Sequence, residues 1–550
     1  MSQPPAQTQN RAHTRIISVL TANPVAARLA LRSANPGNPH GGVVLSEDKK
    51  QQPDKPTPSD QPQSSDQAEN ARMKRSVLSG LFWQYGESLT TQGVSFIVSI
   101  VLSRLLLPTD FGVVALAMVF VSLADVFVTS GLNSALIQNK DADDLDFCTV
   151  FYCSFVLAWV LYAILFFAAP AIADFYNNDL LVTLTRVFAL RLPLSVYNSI
   201  QHTYVSRHMI FRVYFFSSLG GTLVSAVVGI VMAYMGFGVW ALVAQSFFDK
   251  IADTVVCMFT VPWRLRAQFS WKRAKPLISY GWKVLGAELS GTFFGKLRDL
   301  IIGHWYSAAD LAFYNRGDNL SSIIAGNINN SLMGVTFPAM SNYSDDLSKV
   351  KHFCRRSLQT ISYVTTPFLI GLAAVAYEVV LLLYGPNWLE SVPFARILAF
   401  CSVVDMYGII PLQALKAIGR SDVVLKLEVV KKPAFVLLLV LGVRQSVLAV
   451  AWTMLIYDFY GDAVNMYQLQ KYVGYSIREQ LADILPATAL AGAMGVAVAL
   501  CPVPGPLVVQ LVAKIALGVG IYVGASVLLH FPTFYYVKDT VLKFLGERRG

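Results

Sequence analysis

Apolar runs long enough to cross a lipid bilayer recur about every 30 residues from residue 76 onward, and they restrict the possible folds of this chain more than any other feature. A spanning helix needs about 20 mostly apolar residues. Inside the hydrocarbon the backbone must satisfy its own hydrogen bonds, which leaves α-helices as the spanning structures for runs of this length. Only 14% of the 550 residues are charged and 54% are hydrophobic. The sequence therefore predicts an all-α polytopic membrane protein.

We predict about fourteen transmembrane helices from these runs. Their predicted bounds are 79–101, 111–135, 148–171, 180–203, 215–235, 237–260, 280–303, 318–340, 361–384, 392–415, 430–443, 446–468, 481–502 and 507–530. The eleventh run is short for a span, so the segment 430–468 holds either two spans or one. The sequence leaves that choice open.

Basic residues concentrate in alternate loops of this scheme. From Arg72 onward, the two termini, every second loop and the first residues of the eleventh span hold 26 lysines and arginines, whereas the opposite loops hold only Arg104, Arg316 and Arg444. Cytoplasmic loops of membrane proteins carry an excess of Lys and Arg. The bias therefore predicts that both termini and the loop 264–275 are cytoplasmic. It also explains the net charge of +10 as a topology signal, which argues against a nucleic-acid-binding surface.

The first 72 residues differ from the rest of the chain. Pro, Gln, Ser, Asn and Asp dominate there, and such a composition buries too little apolar surface to offset the entropy of ordering, so we predict a disordered extension. Its segment 11–32 carries several arginines and no acid, as targeting sequences do. The alternative is a non-essential extension, with Met73 as a second possible start of translation.

Three pairs of residues recur about 200 residues apart, at the same place in each predicted unit. They are Trp83 and Trp282, Asp110 and Asp310, and Asp143 and Asp345, with spacings of 199, 200 and 202 residues. Six spans per unit would give two lobes of the same orientation. Chance recurrence of common residues is the alternative explanation. The predicted domains are the extension 1–72, an N-terminal six-helix lobe over 73–262, a cytoplasmic interlobe loop over 263–278, a C-terminal six-helix lobe over 279–470, and an additional helix pair with a short tail over 471–550.

Polar residues form a stripe along the first predicted span. Gln84, Thr91 and three serines (Ser88, Ser95 and Ser99) follow helical spacing, and Glu87 lies beside them. A face that is polar through the whole membrane depth is unsuited to lipid. It either lines an aqueous lumen, which we favour, or packs against polar groups of another helix.

Ionisable residues also interrupt other predicted spans. An ionisable side chain within a span is costly, so it is a candidate functional group. The cations and their neighbours are Lys283, Glu288, Thr292, Lys296, Arg298 and Asp299 in the seventh span, Arg191 in the fourth and Arg396 in the tenth. Each cation either faces the lumen, forms a local ion pair such as Lys296 with Asp299, or extends toward the membrane surface.

Four further acids, Asp125, Glu378, Asp405 and Asp458, lie within predicted spans. Each either accepts a coupling proton or sodium ion, or is paired structurally. The six cysteines and seven histidines show no metal-ligand spacing, and there is no phosphate-binding loop or catalytic constellation. We therefore predict no enzymatic activity, no cofactor and no metal site.

Several motifs, taken together, are typical of one transporter family. They are LSRLLLPTDFG at 102–112, YSAADLAFYNR at 306–316, TFPAMS at 336–341 and LKAIGR at 415–420, with the stretch 76–83 opening the first span. Over about 73–480 the chain resembles the Wzx-type polysaccharide and O-antigen flippases of the polysaccharide transporter family, within the multidrug/oligosaccharidyl-lipid/polysaccharide exporter superfamily. The resemblance implies two six-helix lobes around a central cavity with alternating access. The long extension and the last helix pair depart from the commonest form.

The resemblance also implies a cargo, an oligosaccharide on an undecaprenyl pyrophosphate carrier. The protein would move it across the bacterial inner membrane by alternating access, for the biosynthesis of surface polysaccharides such as lipopolysaccharide or exopolysaccharide. Guanidinium and ammonium groups in a closed cavity can replace the hydration of the pyrophosphate. The expected partners are this lipid-linked oligosaccharide, membrane lipids and other polysaccharide assembly proteins, without nucleic acid.

Two other functions remain as alternatives. A cation-coupled multidrug exporter of the same fold would favour an acidic or aromatic cavity, whereas the predicted spans are at least as rich in cations. A membrane polysaccharide polymerase or ligase would need a sizeable outer domain. The longest predicted outer loop, 304–317, has only about 14 residues.

Overall fold

The computed structural model describes residues 62–139 and 141–547, with side chains for the same ranges except 62–82, 85, 330–335, 541 and 543–547. Regular structure within these ranges is entirely helical, which confirms the predicted all-α class. In chain order the helices are α1 (Pro62–Leu105), α2 (Pro108–Thr129), α3 (Gly131–Gln138), α4 (Asp144–Tyr176), α5 (Leu180–Ala189), α6 (Arg191–His208), α7 (Phe211–Tyr234), α8 (Val239–Thr260), α9 (Trp271–Trp305), α10 (Ala308–Ser341), α11 (Leu347–Ala374), α12 (Ala376–Leu383), α13 (Val392–Ala417), α14 (Ser421–Val443), α15 (Val447–Val473), α16 (Ile477–Leu500), α17 (Leu507–Leu528) and α18 (Pro532–Glu547). A 3-10 helix, Pro386–Ser391, precedes α13. The predicted extension lies outside the described residues as far as residue 61, and residues 62–72, predicted as disordered, belong to α1.

The described part of the chain contains nine segments long and apolar enough to span a membrane, and the pair α11 and α12, bent by 71°, makes a tenth. The predicted multi-pass membrane class is thereby confirmed. Four other long helices, α8, α9, α10 and α14, coincide with predicted spans but are too polar for this criterion. Each of them carries three or more charged residues. The count of fourteen spans therefore stays a prediction.

The segment 430–468 contains parts of two helices, α14 and α15, which are separated by three residues. α14 begins at Ser421, whereas the predicted span begins at 430. The first half of this helix carries several charged residues, so its sequence does not read as an apolar run. One of them, Lys431, is buried, and its Nζ lies 2.9 Å from the Glu428 carboxylate one turn earlier. An ion pair along the helix thus accounts for the misplaced start.

The recurring aspartates hold equivalent positions at helix starts. The carboxylates of Asp110 and Asp310 each accept a hydrogen bond from the backbone N–H three residues earlier, at 3.2 and 3.0 Å. Asp143 and Asp346, the neighbour of the predicted Asp345, each accept from two backbone N–H groups at the starts of α4 and α11. Helix starts leave such N–H groups without partners. The recurring aspartates therefore cap the starts of two pairs of helices in the same way.

Helices on either side of the predicted interlobe loop touch through their backbones at two glycines. Gly112, near the start of α2, packs so closely on the carbonyl group of Ala308 that a Cβ there would overlap it. A Cβ on Gly131, at the start of α3, would lie 2.6 Å from the carbonyl oxygen of Gly281. Side-chain carbons do not approach other atoms within 3.0 Å, so both positions require glycine. Through these contacts α2 and α3 pack against α9 and α10.

The last helices pack against the bent span. α16 lies along α11, and Lys351 pairs with Glu479 at 3.0 Å where they meet. α17 contacts α12, where the Lys514 ammonium lies 2.5 Å from the Glu378 carboxylate and both side chains are buried. Glu378, one of the acids considered for ion coupling, is therefore structurally paired.

Candidate functional site

A cavity of about 400 Å³ lies where the start of α10 meets α1, α2 and the second half of α9. The turn before α10 sets the position of its first residues, because the Ser307 hydroxyl accepts from the N–H of Asp310 at 3.1 Å. Four lining residues of α10 then follow the spacing of a single helix face. They are Ala312, Asn315, Arg316 and Asn319.

The lining of this cavity carries five charged side chains. They are Lys296, Arg298 and Asp299 of α9, with Arg316 and Asp318 of α10. The other lining residues are Ser99, Phe111, Ala115, Gly295, Ala312, Asn315 and Asn319. Three cations against two carboxylates give a formal charge of +1. We call this space the cationic cavity.

Two of the three cations are compensated by carboxylates. Lys296 Nζ lies 3.3 Å from Asp299 Oδ2, which is the local pair anticipated from the sequence. Arg298 donates to Asp318 Oδ2 at 3.1 Å, and its guanidinium lies 4.5 Å from the ring centre of Tyr314. These contacts fix the two side chains and neutralise most of their charge.

Arg316 is held differently. Arg316 is only 6% exposed, and its guanidinium lies 4.6 to 4.8 Å from the ring centres of Phe111, Tyr384 and Trp388. It also donates to the hydroxyl of Ser99. Among the residues that the structure describes, no carboxylate lies within ion-pair distance of it. Aromatic faces stabilise a desolvated cation by about 2 kcal/mol, so Arg316 keeps its charge without an acid partner.

The aromatic cage around Arg316 also joins distant parts of the chain. The Trp388 indole N–H donates to the carbonyl oxygen of Ser103 at 2.8 Å. The next residue, Arg104, donates to the carbonyl oxygen of Leu383 at 3.0 Å. The C-terminal end of α1 is therefore fastened to the short helices that precede α13, directly beside the cationic cavity.

A second space, of about 320 Å³, also includes Phe111 in its lining. Its polar lining residues are Ser95, Thr222, Ser225, Gln245, Ser246 and Asp249, from α1, α7 and α8. No lysine or arginine is among the described residues that line it. Arg191 reaches its edge, since Nη1 donates to the Ser246 hydroxyl at 2.9 Å. We call this space the polar recess.

Some residues of the polar stripe on α1 line these two spaces, and the others lie elsewhere along the helix. Ser95 lines the polar recess and Ser99 the cationic cavity. Gln84 is exposed and Glu87 is half-buried, and the Thr91 hydroxyl donates to the Glu87 carboxylate at 3.1 Å. These three residues lie outside the lining of both spaces.

Three other predicted site residues are exposed. Lys283 and Glu288 lie in the first half of α9, and Arg396 lies in the second turn of α13. None of them lines either space, and none forms an ion pair among the described residues. Of the nine predicted site residues, Lys296 and Arg298 line the cationic cavity and Arg191 contacts the polar recess.

Sequence reasoning missed Arg316 by assigning it to an outer loop. The structure corrects that assignment, because Arg316 lies in the third turn of α10. A signal for this was present: Ser307 followed by Asp310 has the spacing of a capping box, which predicts a helix beginning at residue 308. Arg104 is likewise in the last turn of α1, so two of the three basic residues counted in outer loops lie within helices.

Known proteins resemble this chain in both sequence and fold. Residues 101–393 match the family model described as polysaccharide biosynthesis protein. The succinoglycan biosynthesis transport protein ExoT of Rhizobium meliloti is 24% identical over 64% of this chain and 71% of its own length. The lipopolysaccharide biosynthesis protein WzxC of Escherichia coli is 22% identical over 67% of this chain and 76% of its own length.

Among solved structures, the lipid II flippase MurJ in its inward closed conformation is similar to this chain with a TM-score of 0.68. The similarity covers 84% of this chain and 100% of that one, at 12% sequence identity. At that identity the similarity establishes a shared fold.

Proposed function

The chain belongs to the polysaccharide biosynthesis protein family, and from this premise we propose that it moves a lipid-linked oligosaccharide across a membrane. The cargo we propose is an oligosaccharide on undecaprenyl pyrophosphate, carried by alternating access for surface polysaccharide biosynthesis. Transport, without making or breaking glycosidic bonds, is the proposed activity. Relatives whose names refer to succinoglycan transport and to lipopolysaccharide biosynthesis support this proposal.

The observation that carries the proposal is the uncompensated charge of Arg316. A pyrophosphate crossing the membrane needs fixed cations in place of its hydration shell, and a guanidinium offers two parallel hydrogen bonds to a phosphate. Arg316 is buried, lines the cavity, and has no carboxylate within ion-pair distance among the described residues. Because this guanidinium is already desolvated and has no carboxylate partner among the described residues, it loses little hydration and breaks no ion pair when it binds an anion.

The remaining candidate residues have proposed roles that follow from their positions. Lys296 and Arg298, paired with acids in this structure, are proposed to offer their remaining N–H groups beside Arg316, while Arg191 and the polar recess offer hydrogen bonds to sugar hydroxyls. Gln84, Glu87, Thr91, Lys283, Glu288 and Arg396 are proposed as cavity residues for other conformations of the cycle. Other polysaccharide assembly proteins are proposed partners.

For the architecture we propose fourteen transmembrane helices, with lobes over 73–262 and 279–470, the interlobe loop 263–278, and the helix pair with its tail over 471–550. Residues 1–72 are proposed as an N-terminal extension that transport does not require. The proposed location is the bacterial inner membrane with both termini in the cytoplasm, because basic residues favour one side of the scheme. Cysteine labelling from outside whole cells tests this at Gln268→Cys, where we expect protection. Strong labelling there would refute the proposed orientation.

The function itself is tested by removing the protein from its host. We expect undecaprenyl-linked oligosaccharides to accumulate on the cytoplasmic leaflet and the corresponding surface polysaccharide to disappear. The wild-type gene should restore export, and the variant Arg316→Gln should not. Unchanged surface polysaccharide, with no accumulation in the inner leaflet, would contradict the proposal.

A further inference from the structure

We propose that His202, Asp253 and Cys257 form a binding site for a divalent metal ion of the class of Zn²⁺, held between α6 and α8. The three residues lie outside the lining of the cationic cavity and of the polar recess. The site is independent of the proposed transport function, since it rests on donor atoms that play no part in the cavity chemistry.

Two helices bring the three donor atoms together. Asp253 and Cys257 are four residues apart on α8, so they share one face of that helix, and His202 of α6 faces them. His202 Nε2 lies 3.0 Å from Asp253 Oδ2, and Cys257 Sγ lies 3.8 Å from Asp253 Oδ1. One donor atom from each of the three residues lies within 4.8 Å of the other two.

These separations fit a tetrahedral ion. Zn²⁺ binds nitrogen and oxygen at about 2.0–2.2 Å and sulfur at about 2.3 Å, which separates neighbouring ligand atoms by roughly 3.3–3.7 Å. Both measured separations lie within a few tenths of an ångström of that range. The donor atoms of His202 and Cys257 lie within 4.8 Å of each other, so side-chain movements of about 1 Å would bring the three groups around an ion.

Burial and charge favour a dication at this position. Asp253 is 5% exposed and Cys257 is 1% exposed. The Glu87 carboxylate of α1 also lies within electrostatic range of His202 and Asp253. A metal-binding His202 is neutral and a metal-binding Cys257 is a thiolate. Glu87, Asp253 and Cys257 would then be three anionic groups facing the ammonium of Lys250. Acids within spanning helices need compensation, and a divalent ion supplies it.

The donor set selects the class of ion. Imidazole and thiolate together favour Zn²⁺ and related ions, whereas Mg²⁺ and Ca²⁺ prefer oxygen donors. Asn198 donates to Asp253 Oδ2 at 2.8 Å, and the Tyr214 ring packs edge-on against His202, with 4.4 Å between ring centres. Such supporting contacts orient metal ligands. Three protein ligands leave a fourth position for water.

The test is a titration of the purified full-length protein in detergent, freed of metal by a chelator, with Co²⁺ alone. A cobalt ion bound to a thiolate gives a charge-transfer absorption band in the near ultraviolet. We expect one Co²⁺ per chain with this band, and displacement of the Co²⁺ by Zn²⁺. No substitution is needed for this measurement, so absence of the band in the wild-type protein overturns the proposal.

Substitutions then locate the site. Cys257→Ser should abolish the band, whereas Cys354→Ser, at an equally buried cysteine of α11, should retain it. Asp253→Asn should weaken Co²⁺ binding at least tenfold. A band of full intensity in the Cys257→Ser variant, or unchanged affinity in the Asp253→Asn variant, would show that the ion binds elsewhere and would overturn the assignment.

Discussion

The cationic cavity and the polar recess share Phe111 but offer opposite chemistry. The cavity, built largely by α9 and α10, holds three cations and two carboxylates. The recess, built largely by α7 and α8, holds hydroxyl and amide groups with Asp249 as its charged lining residue. A cargo with an anionic part and a neutral, hydroxyl-rich part would find a separate set of partners for each. From this difference we propose that the anionic part and the sugar part of the cargo are bound by different helices.

A second contrast lies within the cationic cavity. Arg298 is neutralised by Asp318 and supported by Asp299, whereas Arg316 is enclosed by aromatic rings. Removing one member of an ion pair leaves its partner uncompensated, but removing Arg316 strands no acid among the described residues. Substitution of Arg298 should therefore mainly lower protein abundance, whereas substitution of Arg316 should lower export at near-normal abundance.

The largest effect is expected at Arg316. Arg316→Gln keeps most of the packing volume within the aromatic cage but removes the charge. Hydrogen bonds to charged groups contribute about 1.5–3 kcal/mol, so we expect export to fall roughly 30-fold or more while protein abundance stays near normal. Arg316→Lys should retain part of the activity. Export assays beside immunoblots measure both quantities, and wild-type export by the Gln variant would remove Arg316 from the mechanism.

The next largest effect is expected at the Arg298 and Asp318 pair. Arg298→Ala leaves Asp318 without its partner and Asp299 with Lys296 alone, and because Arg298 and Asp318 are both partly exposed the cost should be about 1–2 kcal/mol. We expect about tenfold lower export, mostly through lower abundance, and a milder loss in Arg298→Lys. Adding Asp318→Asn to the alanine variant should restore abundance. If the single alanine variant is already at full abundance, the pair has no structural role.

A smaller effect is expected in the polar recess. Gln245→Leu replaces an amide by an apolar group of similar size, and a neutral hydrogen bond contributes about 0.5–1.5 kcal/mol. We expect export to fall about threefold, with a change in preference among glycans in a competition assay. A loss as large as that of Arg316→Gln would mean that the recess, and not the cationic cavity, dominates cargo binding.

The smallest effect is expected at Arg396, which is exposed and unpaired among the described residues. Exposed charges contribute about 0–1 kcal/mol, so Arg396→Gln should leave export within about twofold of wild type. The variant also serves as a matched control for Arg316→Gln, because each replaces one arginine by glutamine. A severe loss of export would restore Arg396 to the site predicted from the sequence.

The sequence predicted the all-helical, multi-pass membrane class because apolar runs depend on local composition. In the structure, helices cover each of the fourteen predicted spans. The start of α14 was misplaced because Lys431 and Glu428 interrupt its apolar run. The sequence named Lys296 and Arg298 because their charges interrupt an apolar run. It missed the caged position of Arg316 because the cage is formed by Phe111, Tyr384 and Trp388, which are distant in sequence. Contacts of that kind leave no periodic signal.

The most direct test of the central claim is a binding measurement with the protein in lipid nanodiscs. Undecaprenyl pyrophosphate and uncharged undecaprenol differ only in the group that Arg316 is proposed to hold. We expect wild-type protein and Arg396→Gln to bind the pyrophosphate at least about 30-fold more tightly than the alcohol, and Arg316→Gln to lose this preference. An unchanged preference in the Arg316→Gln variant would contradict the assignment of the pyrophosphate site.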